Sequence, residues 1–378
     1  MQTKKHPLLS TYVGTEREIV SFHYGDANSG QKIYIQASLH ADELPGMLVA
    51  HHLRARFAAL EAAGKIAGEI VVVPVANPLG LSQTFLHSQQ GRFELASGEN
   101  FNRHYPAMYP AIAAGIEAKL TVDADANARV VREAMLRELD RLDASDSNAA
   151  LTELASMRRV LMRLSCDADV VLDLHCDADA VLHLYAGTPL WPQCEPLARY
   201  LGAYATLLAT ESGDNPFDEA CSQTWWQLAE HFKGRLPIPM ACLSVTVELR
   251  GQTEVDHAQA EQDADNIIAF LIHRGVVKDV APPLPELKYP ATPLAGSEAI
   301  DAPVSGIVVF LKKPGEWIKA GDAIVDIINP LTNEVRTLTC RTEGVLYARE
   351  NRYFATVGMR LAKVAGAKAF RTGKLLGA

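Results

Sequence analysis

The chain contains no run of apolar residues approaching the roughly 20 needed to cross a bilayer. Its opening stretch, MQTKKHPLLSTYVGTERE, lacks the apolar centre of a secretion signal. A membrane partner is therefore not expected, and the expected location is cytoplasmic. There is also no excess of basic residues: 36 Lys and Arg face 45 Asp and Glu, a formal net charge of -9, which argues against a nucleic-acid partner. The six cysteines include no CxxC pair, so the pattern fits reduced, buried thiols better than a disulfide framework.

What is present describes a folded globular chain. Hydrophobic residues make up 48% and charged residues 21% of the sequence, near the globular average. At 378 residues it exceeds the size at which one core keeps growing, so one large and one smaller domain are expected. Short β-branched runs alternate with longer helical patterns over the first three-quarters, the signature of a mostly parallel sheet covered by helices. Strands are expected at Lys32–Leu39, Glu69–Ala76, Asp169–Leu174, Ala180–Tyr185, Tyr204–Ala209 and Ala241–Leu249. Helices are expected at Pro45–Ala63, Ala126–Leu142, Leu151–Leu164, Cys221–Phe232 and Asp256–Arg274. VVVPVA and DVVLDL are unbroken apolar runs apart from single interruptions and belong in the centre of the sheet. Residues 106–165 carry no strand pattern and read as a helical excursion.

The composition changes after Arg274. VAPPLPELKYPATPLAG holds five prolines in 17 residues, a stiff linker or extended crossing strand. The expected division is a catalytic domain over 1–280 and a linker with a small β-domain over 281–378, placed to cap the site. Two segments of this second part share a strand, Gly turn, strand pattern, which points to a small pseudo-symmetric β-sandwich or barrel. It resembles the barrel-sandwich shape of biotinyl and lipoyl domains. The hairpin tip near Leu331–Glu334 holds no lysine, however, so a swinging-arm carrier is not expected.

Three strand ends carry candidate chemistry. KIYIQASL runs into HADELPG, putting His40 and Glu43 three residues apart at the carboxyl end of a strand, where open α/β sheets bind ligands. Taken alone, the pair also reads as a loop histidine beside a helix N-terminal acid. VVLDLHCD ends a second buried strand in His175. Two histidines and a glutamate from two strand ends make the three-residue ligand set of a catalytic zinc site that leaves one position to water. Cys176 should point away from that set, because neighbours on an extended chain face opposite sides. Asp173 is either an acid at the edge of the core or the partner that orients the His175 ring.

SVTVELRGQ places Glu248 near the end of a third buried strand. A carboxylate buried there calls for either an ion pair, with Arg250 as the candidate, or a part in moving a proton from an attacking water to a leaving amine. GENFNRHYP presents Asn102 and Arg103 in a loop, suited to a substrate carboxylate through a bidentate guanidinium and an amide, or simply a surface loop.

HADE, NFNRHYP, DLHCD and TVELR, in this order, resemble the zinc carboxypeptidase superfamily, and within it the succinylglutamate desuccinylase and aspartoacylase branch. The resemblance covers roughly residues 15–275, and a trailing β-domain is typical of the branch. It implies an open, twisted, mostly parallel mixed sheet and one zinc ion per chain on His40, Glu43 and His175. It further implies a catalytic Glu248, carboxylate binding by Asn102 and Arg103, and an upstream arginine that stabilises the oxyanion, for which Arg92 is the candidate. The activity implied is hydrolysis of an amide bond in a small N-acyl amino acid or acylated amine. Two other readings share these residues: a carboxypeptidase acting on short peptides, and a non-catalytic module of the same fold that binds metal or ligand. The acyl group, the amine and any homo-oligomeric state are not read from the sequence.

Overall fold

A computed structural model describes residues 1–10, 12–145 and 151–377, so residues 146–150 of the expected helical excursion lie outside the described residues. The large sheet contains β1 (Gln2–Pro7), β2 (Glu18–Gly25), β3 (Lys32–Ala37), β4 (Glu69–Val73), β5 (Val170–Asp177), β6 (His183–Gly187), β7 (Ala205–Ala209), β8 (Leu243–Gly251) and β9 (Thr292–Pro293). Their spatial order is β1-β2-β4-β3-β5-β8-β6-β7-β9. The four central strands β4, β3, β5 and β8 run parallel. β2 pairs antiparallel with β4, and β6 antiparallel with β8, so the sheet is mixed.

Each face of the sheet has its own core. α1 (Pro45–Ala62), α5 (Trp191–Leu201) and α7 (His257–His273) cover one face. There Val49, Leu53 and Phe57, four residues apart on α1, pack with Ile33, Leu172, Val245 and Phe270. α2 (Tyr109–Ile116), α3 (Ala124–Ser145), α4 (Glu153–Ser165) and α6 (Phe217–His231) cover the other, with Tyr34, Val71, Val171, Met135, Leu161 and Trp225 in one cluster. Burial on both sides explains the near-continuous apolar reading of the central strands. Among the described residues no helix is long and apolar enough to cross a membrane, and all six cysteines are free and buried.

The expected helices are present, and no strand interrupts the described part of 106–165. The strands β1 and β2 and the helix α5 were not anticipated. β1 is almost wholly exposed and polar, so it carries no period of burial to read, and α5 contains Pro196, normally a helix breaker. The strand expected at Ala180–Tyr185 is two separate pieces. Asp179–Ala180 pairs with Ala348 and Arg349 of the C-terminal part, and His183–Gly187 joins the large sheet, so the chain must break between two sheets.

The C-terminal part contains β10 (Ser297–Asp301), β11 (Gly306–Phe310), β12 (Ala323–Ile328), β13 (Val335–Thr339), β14 (Gly344–Arg349) and β15 (Arg360–Gly366). One layer is β10-β15-β14 with Trp317–Ile318, and the other is β13-β12-β11 with Phe354–Ala355. Val308, Ile318, Ile324, Leu346, Leu361 and Val364 fill the space between. The proline-rich segment does act as a crossing strand: its Thr292 and Pro293 pair with Leu207 and Leu208 at the edge of the large sheet.

Candidate active site

The carboxyl ends of β3, β5 and β8 lie side by side, so three distant sequence segments meet at one edge. Ser38 follows β3 with φ 66°, a left-handed conformation uncommon outside glycine. Asn77 then holds the loop, donating from Nδ2 to the Leu39 carbonyl at 2.9 Å. His40 and Glu43 emerge from this turn just before Pro45 starts α1.

His40, Glu43 and His175 are buried together, with one potential ligand atom from each lying within 4.8 Å of the others. His40 Nδ1 is 2.9 Å from Glu43 Oε1, and His175 Nδ1 is 2.8 Å from Glu43 Oε2. The opposite ring nitrogens are occupied: His40 Nε2 meets Asn100 Oδ1 at 2.9 Å and His175 Nε2 meets Asp173 Oδ2 at 2.9 Å. Because both partners are oxygen acceptors, each Nε2 carries a proton as donor, which leaves each Nδ1 facing the glutamate. Two ring nitrogens and a carboxylate thus converge on one point, which requires positive charge between them. The donor set and the outer hydrogen bonds that fix both rings suit a divalent ion such as zinc.

The electrostatics agree with that geometry. Burial, reinforced by Arg92, lowers the His40 pKa to about 4, so its imidazole is neutral and free to ligate. His175 is held well above the usual histidine range; burial would lower it, but the carboxylates of Asp173 and Glu43 outweigh burial. The same two carboxylates that favour a proton on this ring favour a cation beside it. Burial would likewise raise Glu43, yet His40 and His175 hold it well below the usual carboxylate range.

Asp173 sits on β5 opposite Gln36 on β3. Its Oδ1 accepts from Gln36 Nε2 at 2.9 Å, and Gln36 Oε1 accepts from the Tyr34 hydroxyl at 2.8 Å. All three are completely buried, so the chain behind His175 leaves the ring one orientation. For a divalent metal held by this cluster, Asp173→Ala is expected to weaken binding by about 10–100-fold while His175 remains in place, measurable by competition with a chelator.

Glu248 on β8 lies opposite His175 on β5. Its pKa is pushed up to about 8, first by burial and then by the Glu43 carboxylate. Its Oε2 is buried without a hydrogen-bond partner among the described residues. The ion pair to Arg250 that the sequence leaves open does not form; Arg250 pairs with Asp263 and Glu254 instead. The register irregularity between Glu248 and Gly251, with Arg250 at φ 64°, turns the arginine away from the strand's ordinary course.

Arg92 reaches the cluster: its Nη1 is 3.2 Å from His40 Nδ1 and 3.3 Å from Glu43 Oε1. The preceding Gly91 makes this possible, because a Cβ there would stand 2.0 Å from the Asp42 backbone nitrogen. The Gly91 carbonyl accepts from the Ala41 backbone at 2.9 Å, joining the two loops directly.

Asn102 and Arg103 are buried rather than part of a surface loop. Asn102 Oδ1 accepts from the Phe217 backbone at 2.8 Å, at the start of α6. Arg103 donates to the Asn102 carbonyl at 2.6 Å and to the Gly377 carbonyl at 2.5 Å, and its Nε has no partner among the described residues. Cys176 contributes its backbone N–H to Glu43 Oε2 at 3.1 Å, and burial pushes its thiol pKa up.

The sequence reading missed Asn100, although it lies in the GENFNR motif. It accepts from both His40 and the Asn102 backbone and thereby ties that motif to the loop that carries His40 and Glu43. It also missed Asp218, buried at the start of α6, whose carboxyl is pushed up to about 7 by burial and then by Glu219. Nothing in the local pattern separates Asp218 from an ordinary helix N-terminal acid.

A profile of the succinylglutamate desuccinylase/aspartoacylase catalytic domain matches residues 29–274. The chain belongs to the succinylglutamate desuccinylase/aspartoacylase family. A crystal structure of a protein of this family from Shewanella amazonensis SB2B is 27% identical, with a TM-score of 0.84 over 97% of this chain and 98% of that one. A second family protein, from Shewanella frigidimarina NCIMB 400, is 25% identical with a TM-score of 0.83, covering 97% of each chain. The ectoine utilization protein EutE (DoeB) of Ruegeria pomeroyi, in a product-bound structure, shares the fold at 16% identity and a TM-score of 0.65, over 96% of this chain and 93% of that one. Comparison with curated proteins finds no match. As a member of this family of hydrolases, the chain has a His/Glu/His cluster able to bind a metal at the carboxyl edge of its sheet.

Proposed function

We propose that the chain is a zinc-dependent hydrolase that cleaves the amide bond of a small N-acyl amino acid or related acylated amine. The observation that carries this reading is the convergence of His40, Glu43 and His175, with Glu248 on the adjoining strand, its Oε2 without a hydrogen-bond partner among the described residues. Zinc held by the three residues would supply Lewis-acid polarisation and a more acidic water. Glu248 accepts the proton of the attacking water and returns it to the departing amine, a transfer that one carboxylate can perform in both directions. Arg92 donates to the oxygen on which negative charge develops, and Asn102 and Arg103 bind the substrate's carboxylate. The products are a carboxylic acid and an amino acid or amine.

The C-terminal part favours a small substrate over a peptide. Residues 374–377 lie along Ser212–Asp214 and reach Arg103, through the Gly377 carbonyl, the Leu375 backbone and the Lys374 pair with Asp214. This narrows the space beside the arginine that would hold the substrate's charge. The reading takes residues 1–280 as the catalytic domain and residues 281–378 as the linker and cap.

The deciding experiment measures zinc by elemental analysis and assays a panel of N-acyl amino acids beside short peptides. About one zinc per chain with faster cleavage of the N-acyl amino acids supports the proposal. Faster peptide cleavage overturns the substrate class, and bound zinc with no hydrolysis overturns the enzymatic reading. Within this mechanism Arg92→Ala should lower kcat by about 10²-fold with little change in KM, because its donor acts mainly on the developing charge. Steady-state kinetics at matched zinc content checks that outcome.

A further inference from the structure

On the far side of the catalytic strands, where the large sheet meets the C-terminal β-layers, lies a cavity of about 460 Å³. Its walls come from three parts of the chain: the turn after β5 (Asp179–Leu182), the end of β8 (Arg250, Glu254), and the crossing and β-domain segments that supply Lys288, Lys313 and Arg349. Leu182 and Leu201, which also line it, belong to the core under α1, α5 and α7, opposite the face that carries Val171. His175 shares that opposite face through the strand's alternation with Val171 and Asp173, so this cavity is separate from the metal cluster.

The charges around it are unevenly matched. Four cations and two carboxylates line the cavity. Arg349 is engaged by Asp179, at 2.7 Å from Nε. Arg250 is engaged by Asp263, which is not part of the lining, and its Nε lies 3.4 Å from Glu254 Oε2, an ion pair without hydrogen-bond geometry. Lys288 has no carboxylate partner among the described residues and lies with Nζ 3.8 Å from the centroid of the Tyr204 ring, a cation–π contact that holds the ammonium at the rim. Lys313, also lining the cavity, has no carboxylate partner among them either. Two lysines without carboxylate partners among the described residues, beside the paired Arg250 and around a pocket of ligand size, match a small anion with several oxygens that takes its charge from the lysines.

We propose that this cavity is a binding site for a small, multiply charged oxyanion, a dicarboxylate or a phosphate, held by Lys288 and Lys313 beside the paired Arg250. Arg250 is two residues beyond Glu248, on the irregular end of the same strand, so an occupied cavity would hold that strand end from behind. The site does not depend on the deacylase reading, since binding is measured on metal-free protein.

The test is calorimetric titration of the full metal-free chain with inorganic phosphate and, separately, with succinate. Saturable binding of either is expected, and the one that binds names the ligand chemistry. Lys288→Ala combined with Lys313→Ala, both exposed positions, should weaken it at least tenfold while leaving the melting temperature of the unliganded protein unchanged. Arg92→Ala, which alters only the metal side, should leave it intact. No saturable binding of either anion at millimolar concentration overturns the proposal. So does binding that survives in the double lysine variant and disappears with Arg92→Ala, because the anion then sits at the metal cluster.

Discussion

Glu248→Gln is expected to lower turnover by about 10³–10⁴-fold while zinc content stays near one per chain, since the amide keeps the shape of the side chain but cannot take a proton. The expectation rests on position and surroundings. Glu248 stands opposite His175 on the neighbouring strand, and its Oε2 is buried without a hydrogen-bond donor among the described residues. Arg250, the nearest cation in sequence, is committed to Asp263 and Glu254. A buried acceptor without a donor costs free energy, so its retention at this edge fits a group whose partner is a water or substrate. With its carboxyl pushed up to about 8, Glu248 is mostly protonated near neutral pH in the metal-free chain, so Gln changes little charge there and the variant should keep the parent's stability. Single-turnover assays on samples of measured zinc content check this, and near-normal activity would remove Glu248 from the proposed mechanism.

His175→Ala is expected to abolish stable zinc binding and hydrolysis together. With His175 gone, two ligand residues remain where a catalytic zinc site uses three, and the Glu43 oxygen that faces His175 Nδ1 loses that partner. The effect should also appear in stability. A ligand that binds only the folded state adds about 2.7 kcal/mol when present at 100 times its dissociation constant. Added zinc should therefore raise the melting temperature of the parent by a few degrees and leave that of His175→Ala unmoved. Elemental analysis and thermal melts with and without zinc make the comparison; an equal zinc-induced shift in both proteins would place the metal elsewhere.

The family resemblance and the metal cluster come from different levels of the chain. HADE, DLHCD and TVELR each lie at the end of an apolar run, and periodicity alone places the end of a buried strand there, so the strand ends that carry His40, Glu43, His175 and Glu248 were legible without coordinates. Residue type then suggested the chemistry, because imidazole and carboxylate at a strand's carboxyl edge are costly to bury without a use. Burial on both faces made the same strands readable, while the exposed β1 offered no such signal.

Other features exist only through contacts between distant segments. That Asn100 orients His40, that Gln36 and Tyr34 stand behind Asp173, and that Arg92 is brought to the cluster by the close approach of Gly91 all depend on strand register and loop packing. The choice for Glu248 between a structural ion pair and a free carboxylate was likewise open in TVELR, and it was decided by Asp263 on α7 and by the irregular end of β8. The turn that splits Asp179–Ala180 from β6 is set by the C-terminal strand that pairs with it. Local sequence determined which residues are candidates for chemistry and at which strand ends they sit, because hydrophobic period and residue type are short-range properties. Only the tertiary structure decided which of them meet, what holds each in orientation and which charges remain without partners, because those depend on where about 200 intervening residues bring the chain back, as between His40 and Glu248.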